Sequence, residues 1–200
     1  MAKTIDQFDS ACLKQIIKNA ELPKPPADAF YQPTSVFLLL FGQKKYSILA
    51  IQKADTEGYP WANQVALPGG HVEDEDSSSV DAAYRELEEE LEITRNQVEL
   101  IGSMGHFQTI NHKDIEVFIG LWNGEGPVRF DTNEIARVIE IPLKEIVKTH
   151  ITAGLHNRLP PTNELEYPLT DVVIWGVTAR ILHQFMELLY PYIDKNKYLV

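Results

Sequence analysis

The chain has 200 residues with 18 basic and 29 acidic side chains, a formal net charge of −11. That length suits one domain with a sizeable core, and 44% hydrophobic with 24% charged residues excludes wholesale disorder, collagen-like and coiled-coil classes. The longest apolar run spans residues 36–41, far short of the roughly 20 that a membrane-crossing helix requires, and the acidic balance argues against passive binding to long nucleic acid or an anionic membrane. The opening MAKTIDQFDS holds no apolar signal segment, and the lone Cys12 neither closes an internal disulfide nor builds a thiolate metal site; the expected compartment is the cytoplasm.

In chain order, residues 5–20 read as an amphipathic helix with Phe8, Leu13, Ile16 and Ile17 near one face. Pro23, Pro25, Pro26 and Pro33 make an extended connector, so residues 1–34 form an N-terminal extension to a single domain over 35–200. Two strands follow at 35–42 and 45–54, then a loop at 55–66 and a breaker at Pro68-Gly69-Gly70. A helix is predicted over 79–91. Strands at 99–109, 114–122 and 136–141 come next, with a short helix over 143–147. Three prolines make 150–168 a long loop, and 171–189 closes the chain as an amphipathic helix in which Trp175 and Phe185 are expected in the core. Strands interleaved with a few helices give an α/β or α+β domain.

The acidity is local: between residues 71 and 92 ten carboxylates face one arginine. A solvated helix face is the ordinary explanation of such a run, and a divalent cation site is the sharper one, because hard cations take several carboxylate oxygens. At about 100° per residue, Glu86, Glu89 and Glu90 fall within an arc of about 100°. They lie beside the apolar face formed by Val80, Ala83, Tyr84, Leu87 and Leu91. Glu86 and Glu90 form a like-charge i,i+4 pair, which costs a few tenths of a kcal/mol that a cation would reverse. Arg85 stands four residues before Glu89, where a charge-assisted hydrogen bond orients the carboxylate.

Residues 70–93 resemble the Nudix box, G-x5-E-x7-R-E-U-x-E-E-x-G-U, where U is a bulky apolar residue. Here Gly70 is followed after five residues by Asp76, and after eight more by Arg85-Glu86-Leu87-Glu88-Glu89-Glu90-Leu91-Glu92-Ile93. Asp76 replaces the usual glutamate, the second spacer is one residue longer, and Glu92 replaces a glycine that normally ends the helix left-handed. Either the helix runs on, or the following loop is strained. The approach Trp61-Ala62-Asn63-Gln64-Val65-Ala66-Leu67-Pro68-Gly69-Gly70 and the stretch Trp175-Gly176-Val177-Thr178-Ala179-Arg180-Ile181 are similar to the coenzyme A diphosphatase branch of the family. That branch's coenzyme A signature is not matched, since the region reads Leu49-Ala50-Ile51-Gln52-Lys53-Ala54 without its threonine and arginine.

The resemblance implies a Nudix fold, a mixed β-sheet sandwiched between α-helices, with an N-terminal helical extension and a C-terminal helix. It implies hydrolysis of a nucleoside diphosphate linked to another group, assisted by Mg²⁺ or Mn²⁺ that bridge the diphosphate and activate water. By motif position Glu86, Glu89, Glu90 and the Gly70 carbonyl are metal ligands, with Arg85 orienting a carboxylate. The general base is a box glutamate such as Glu89 or a distant acid, with Glu134 the leading candidate and Glu116 a weaker one. Lys53, Tyr59 and Trp61 are candidate substrate contacts, as phosphate partner and stacking surfaces; His71, His106 and His112 are weighed against plain packing roles. Coenzyme A, ADP-ribose, a nucleotide sugar, a dinucleoside polyphosphate and a capped RNA end stay open as substrates, as does a non-catalytic nucleotide-binding module. Family members are often dimers, so a homodimer is admitted.

Overall fold

Two strands that diverge explain how the acidic segment is seated. The computed structural model describes residues 3–27, 30–42, 45–55 and 63–198. Helix α1 spans Ser10–Asn19, strand β1 Gln32–Phe41, β2 Ser47–Lys53, β3 Val65–Ala66 and β4 Gly69–His71. Helix α2 spans Ser79–Leu91, β5 Val98–Gln108, β6 Lys113–Trp122, β7 Ile135–Pro142 and α3 Leu143–Thr152. The short strands β8 Tyr167–Pro168 and β9 Val173–Ile174 precede α4, Gly176–Leu189. β1 pairs antiparallel with β2 only at residues 39–41, then the two strands part. The segment that follows β2 enters the fork: β3 pairs with β2, and β4 pairs with β1 through Ser35↔Gly70. β1 also runs parallel to β6, while β5 and β7 complete a mixed sheet.

Helices cover both faces of that sheet. On one, Phe37, Leu39, Leu49, Ile51 and Phe118 pack against Ala83, Tyr84, Leu87 and Leu91 of α2. On the other, Val36, Leu38, Leu40, Ile48 and Val117 meet apolar residues of α1, α3 and α4. The alternation of β1 side chains between two fully covered faces is why it reads as a continuous apolar run. The sandwich expected from the resemblance is the architecture found. Among the described residues no helix is long and apolar enough to cross a membrane.

Several element boundaries differ from expectation, each for a local reason. The helix expected over 5–20 is interrupted after a 3₁₀ turn at Ile5–Gln7, because Asp9 caps α1 by accepting a 2.8 Å hydrogen bond from the Cys12 N–H. The helix expected at 143–147 runs on to Thr152, and the final one starts at Gly176 rather than 171. Trp175 is extended and Gly176 takes φ +68°, a left-handed value that turns the chain from β9 into α4. The loop expected at 55–66 ends in β3. The expected breaker Pro68-Gly69-Gly70 contributes a strand, because Gly70 lets the backbone lie under a helix side chain: a Cβ there would stand 2.3 Å from the Glu86 carboxylate.

Candidate active site

Helix α2 starts where Ser78 accepts from the Asp81 N–H, and its apolar stripe seats it on the sheet. That docking aims its acidic edge at β4. Glu86 lies over Gly70 with its side chain 17% exposed, Glu90 is nearly buried, and Glu89 faces solvent. Burial pushes the Glu86 carboxyl upward, Arg85 opposes the shift, and Glu90 and Glu89 reinforce it.

Arg85 is the hub of the cluster. Its guanidinium donates to both oxygens of Asp76 (3.1 and 2.9 Å), to Glu86 and Glu89 (3.0 Å each), and to the His71 carbonyl (3.0 Å). The fork on Asp76 holds that carboxyl below the usual range, assisted by the Glu73 N–H, and raises the affinity of Arg85 for its proton. Asp76, met in the sequence as a departure from the box, thus ties the loop to the helix. Glu90 is fixed from the sheet side: Lys53 donates to one oxygen at 2.9 Å and the Gly69 N–H to the other at 2.9 Å.

The other expected residues separate into two groups. Glu134 is exposed, but its carbonyl accepts from the Ala54 N–H at 2.9 Å, which places it beside the end of β2 that carries Lys53. Glu116 is held by the hydroxyls of Ser79 and Ser103, the latter at 2.8 Å. His106 pairs with Asp114 at 2.8 Å, and His112 packs edge-on against Phe30 and Tyr31; both stabilise the β5–β6 end of the sheet. Burial and Lys113 lower the proton affinity of His71, whose Nε2 has no partner among the described residues. Tyr59 and Trp61 lie outside the described residues. Trp175 was expected in the core and is 49% exposed. As the residue before α4 it turns outward, where it lines a cavity of about 470 Å³ with Gln64, Ile110, Val177 and Arg180; Phe185 is buried as expected.

Glu92 answers the alternative raised by the missing box glycine. It adopts φ +54° at the end of α2, and the N–H groups of Glu92 and Ile93 bond to the carbonyls of Glu88 and Leu87. The helix therefore stops where a glycine would stop it, in a backbone state that costs a non-glycine residue about 1 kcal/mol. Its side chain meets Arg129 at 3.3 Å on the surface.

The donor set is all oxygen, carboxylates with a nearby main-chain carbonyl. Burial, with the neighbouring carboxylates, raises Glu86, and the positive neighbours Arg85 and Lys53 supply the only counter-charge within bonding reach among the described residues. Such a set fits a hard divalent cation.

Comparison with known proteins agrees with this geometry. The NUDIX domain model matches residues 31–161. The uncharacterized Nudix hydrolase NudL of Photorhabdus laumondii is 26% identical over 171 residues, covering 84% of this chain and 91% of that protein. The Escherichia coli K12 NudL, likewise uncharacterized, is 30% identical over 125 residues, covering 62% of this chain and 65% of its own length. Among solved structures, a MutT/nudix family protein from Enterococcus faecalis superposes with a TM-score of 0.52 at 18% identity, over 92% of this chain and 76% of that one. One from Listeria innocua gives 0.52 at 19% identity, over 80% and 94%. The fold, the matched span and the curated relatives agree: the chain is a NUDIX domain protein of the Nudix hydrolase family.

Proposed function

We propose that the chain hydrolyses the diphosphate bond of a nucleoside diphosphate linked to a second group, using Mg²⁺ or Mn²⁺ held by Glu86, Glu89, Glu90 and the Gly70 carbonyl. The observation that carries this reading is the gathering of the three carboxylates at β4: Glu86 lies against Gly70, Glu86 and Glu89 share Arg85, and Glu90 accepts from the Gly69 N–H. A bound cation supplies a water of lowered pKa and charge neutralisation for the departing phosphate. Arg85 keeps Glu86 and Glu89 in register from the side of Asp76. Lys53 pairs with Glu90 and is the proposed contact for a phosphate drawn to the cluster. Glu134, whose main chain bonds to the end of β2, is the proposed acceptor of a proton from water, and Glu89 is the box alternative. Glu116 is a weaker base, being held by two serine hydroxyls.

A coenzyme A derivative is the first substrate to test. The cavity of about 470 Å³ begins at Gln64, whose carbonyl accepts from the Lys53 N–H at 3.0 Å. Its walls include the exposed faces of Ile110 and Trp175, with Arg180 at one side. That lining suits a long, partly apolar arm attached to the diphosphate. Tyr59 and Trp61 remain proposed stacking contacts, and the reading places the enzyme in the cytoplasm. The test is phosphate-product release across coenzyme A, ADP-ribose, NADH, UDP-glucose, diadenosine polyphosphates and nucleoside triphosphates. Cleavage of coenzyme A is the expected result. Cleavage of another member alone would refute the coenzyme A reading while keeping the chemistry.

A further inference from the structure

A second cluster of metal-ligating side chains lies in the other core layer, away from the box. α3 carries His150 in its last turn, and α4 carries His183 and Glu187 four residues apart on one face. Both histidines are buried, and Glu187 is mostly so. One ring nitrogen of each histidine and a Glu187 oxygen all lie within 4.8 Å of one another. Tetrahedral ligands at zinc distances sit roughly 3.3 Å apart, so small side-chain motions complete the set.

The hydrogen bonds around the cluster are those that orient metal-bound imidazoles. His183 Nε2 lies 3.1 and 3.0 Å from the carbonyls of Leu155 and Arg158. Carbonyls only accept, so Nε2 carries the proton and Nδ1 keeps its lone pair. His150 places Nδ1 at 3.0 Å from the Tyr167 hydroxyl and Nε2 at 2.8 Å from Glu187. With no cation, the proton between His150 and Glu187 sits on Nε2. A cation bound at Nε2 would leave the imidazole proton on Nδ1, facing the Tyr167 oxygen, so no net proton would be released. Asn157 donates its side-chain amide to His156 Nε2, which leaves His156 Nδ1–H to donate to Glu187 at 3.2 Å. The Asn157 N–H donates to the same carboxylate at 3.1 Å. Glu187 is therefore aimed by two donors. A cavity of about 450 Å³, lined by His183, Glu187 and Arg158, offers water and a route of entry.

We propose that His150, His183 and Glu187 bind one Zn²⁺ ion, with water from this cavity as fourth ligand, and that the ion braces α3 and the turn at 155–158 against α4. Two imidazoles with one carboxylate favour Zn²⁺ over Mg²⁺, whereas the all-oxygen box has the opposite preference. The brace stands apart from the hydrolytic reading and does not depend on it.

The test uses the full chain, stripped with a chelator and titrated with Zn²⁺ or Co²⁺ in excess Mg²⁺, which occupies the box. One equivalent of Zn²⁺ should bind and raise the thermal midpoint, and Co²⁺ should give the intense visible band of a four-coordinate site. His183→Gln and Glu187→Gln should each weaken binding by at least about 100-fold, as expected on losing a ligand, while Glu86→Gln leaves it unchanged. If His183→Gln fails to fold, Glu187→Gln and the wild-type Co²⁺ spectrum carry the test. The brace is overturned if no Zn²⁺ binds in excess Mg²⁺, if the Co²⁺ spectrum is that of a six-coordinate ion, or if Glu86→Gln rather than the α4 variants abolishes binding.

Discussion

The edge of α2 and the inner face of α4 both gather ionisable groups, but on opposite faces of one sheet and in different ways. At α2, carboxylates outnumber their partners, and two long cations, Arg85 and Lys53, reach in to hold them. At α4, one carboxylate meets the rings of His150 and His156 and the Asn157 main-chain N–H. The first arrangement retains excess negative charge and partial exposure, which suits a hard cation and an anionic ligand arriving from water. The second satisfies one mostly buried carboxylate with several hydrogen-bond donors, as a low-dielectric interior demands. Similar residue counts thus underlie the proposed hydrolytic site in one region and the proposed brace in the other.

The sharpest way to break this contrast is at Glu89. Glu89→Gln should cut kcat by roughly a thousand-fold, about 4 kcal/mol of barrier, with an unchanged denaturation midpoint because the side chain is exposed. Near-wild-type turnover would remove Glu89 from the mechanism. Arg85→Ala should instead lower stability by about 1–3 kcal/mol, since it leaves the Asp76 carboxylate with the Glu73 N–H as its remaining partner among the described residues; urea denaturation reads this directly, and a loss under about 0.5 kcal/mol would show that the hub is not structural.

The α4 side is sharpened by pH. Burial pulls His150 down to about 4 from its ordinary 6.5, against the opposing pull of Glu187 and with like-charge contributions from His183 and His156. The unfolded chain therefore binds the extra proton between those values. His150 stabilises the fold fully above about 6.5, and that contribution is lost as pH falls toward 4. At about 1.4 kcal/mol per unit the loss approaches 3 kcal/mol. Chelator-treated wild type should lose more stability across this window than His150→Gln, whose neutral amide has no proton to gain; parallel slopes would contradict the assignment. Tyr167 and Tyr190 also face the ring, and burial pushes the Tyr167 hydroxyl far upward. The smallest effect is at the end of α2, where Glu92→Gly should stabilise by about 0.5–1 kcal/mol by relieving the left-handed strain, less the surface contact with Arg129. A destabilised variant would mean that this ion pair outweighs the strain.

Local chemistry made α2 legible: Ser78 caps it, the apolar stripe sets its face, and the glutamates share one edge. The sandwich followed because alternating strands and helices leave few other ways to bury their apolar faces. What needed three dimensions was contact across distance. Lys53 was a candidate phosphate contact, but its pairing with Glu90 depends on the fork between β1 and β2. Pro68-Gly69-Gly70 has the composition of a turn, and only the partner strand makes it β4. Trp175 fits the helical period of α4 yet precedes the helix, because Gly176 turns the chain there. The histidine cluster was not singled out because its members come from separate segments; its one local signal is the four-residue spacing of His183 and Glu187.

The most direct test of the central claim is the rate of product release from the best-cleaved substrate, measured with Mg²⁺, with Mn²⁺ and after chelation by EDTA. The account predicts turnover with either metal, near-complete loss in EDTA and recovery when Mg²⁺ is restored. Turnover that persists in EDTA would contradict a metal-dependent box.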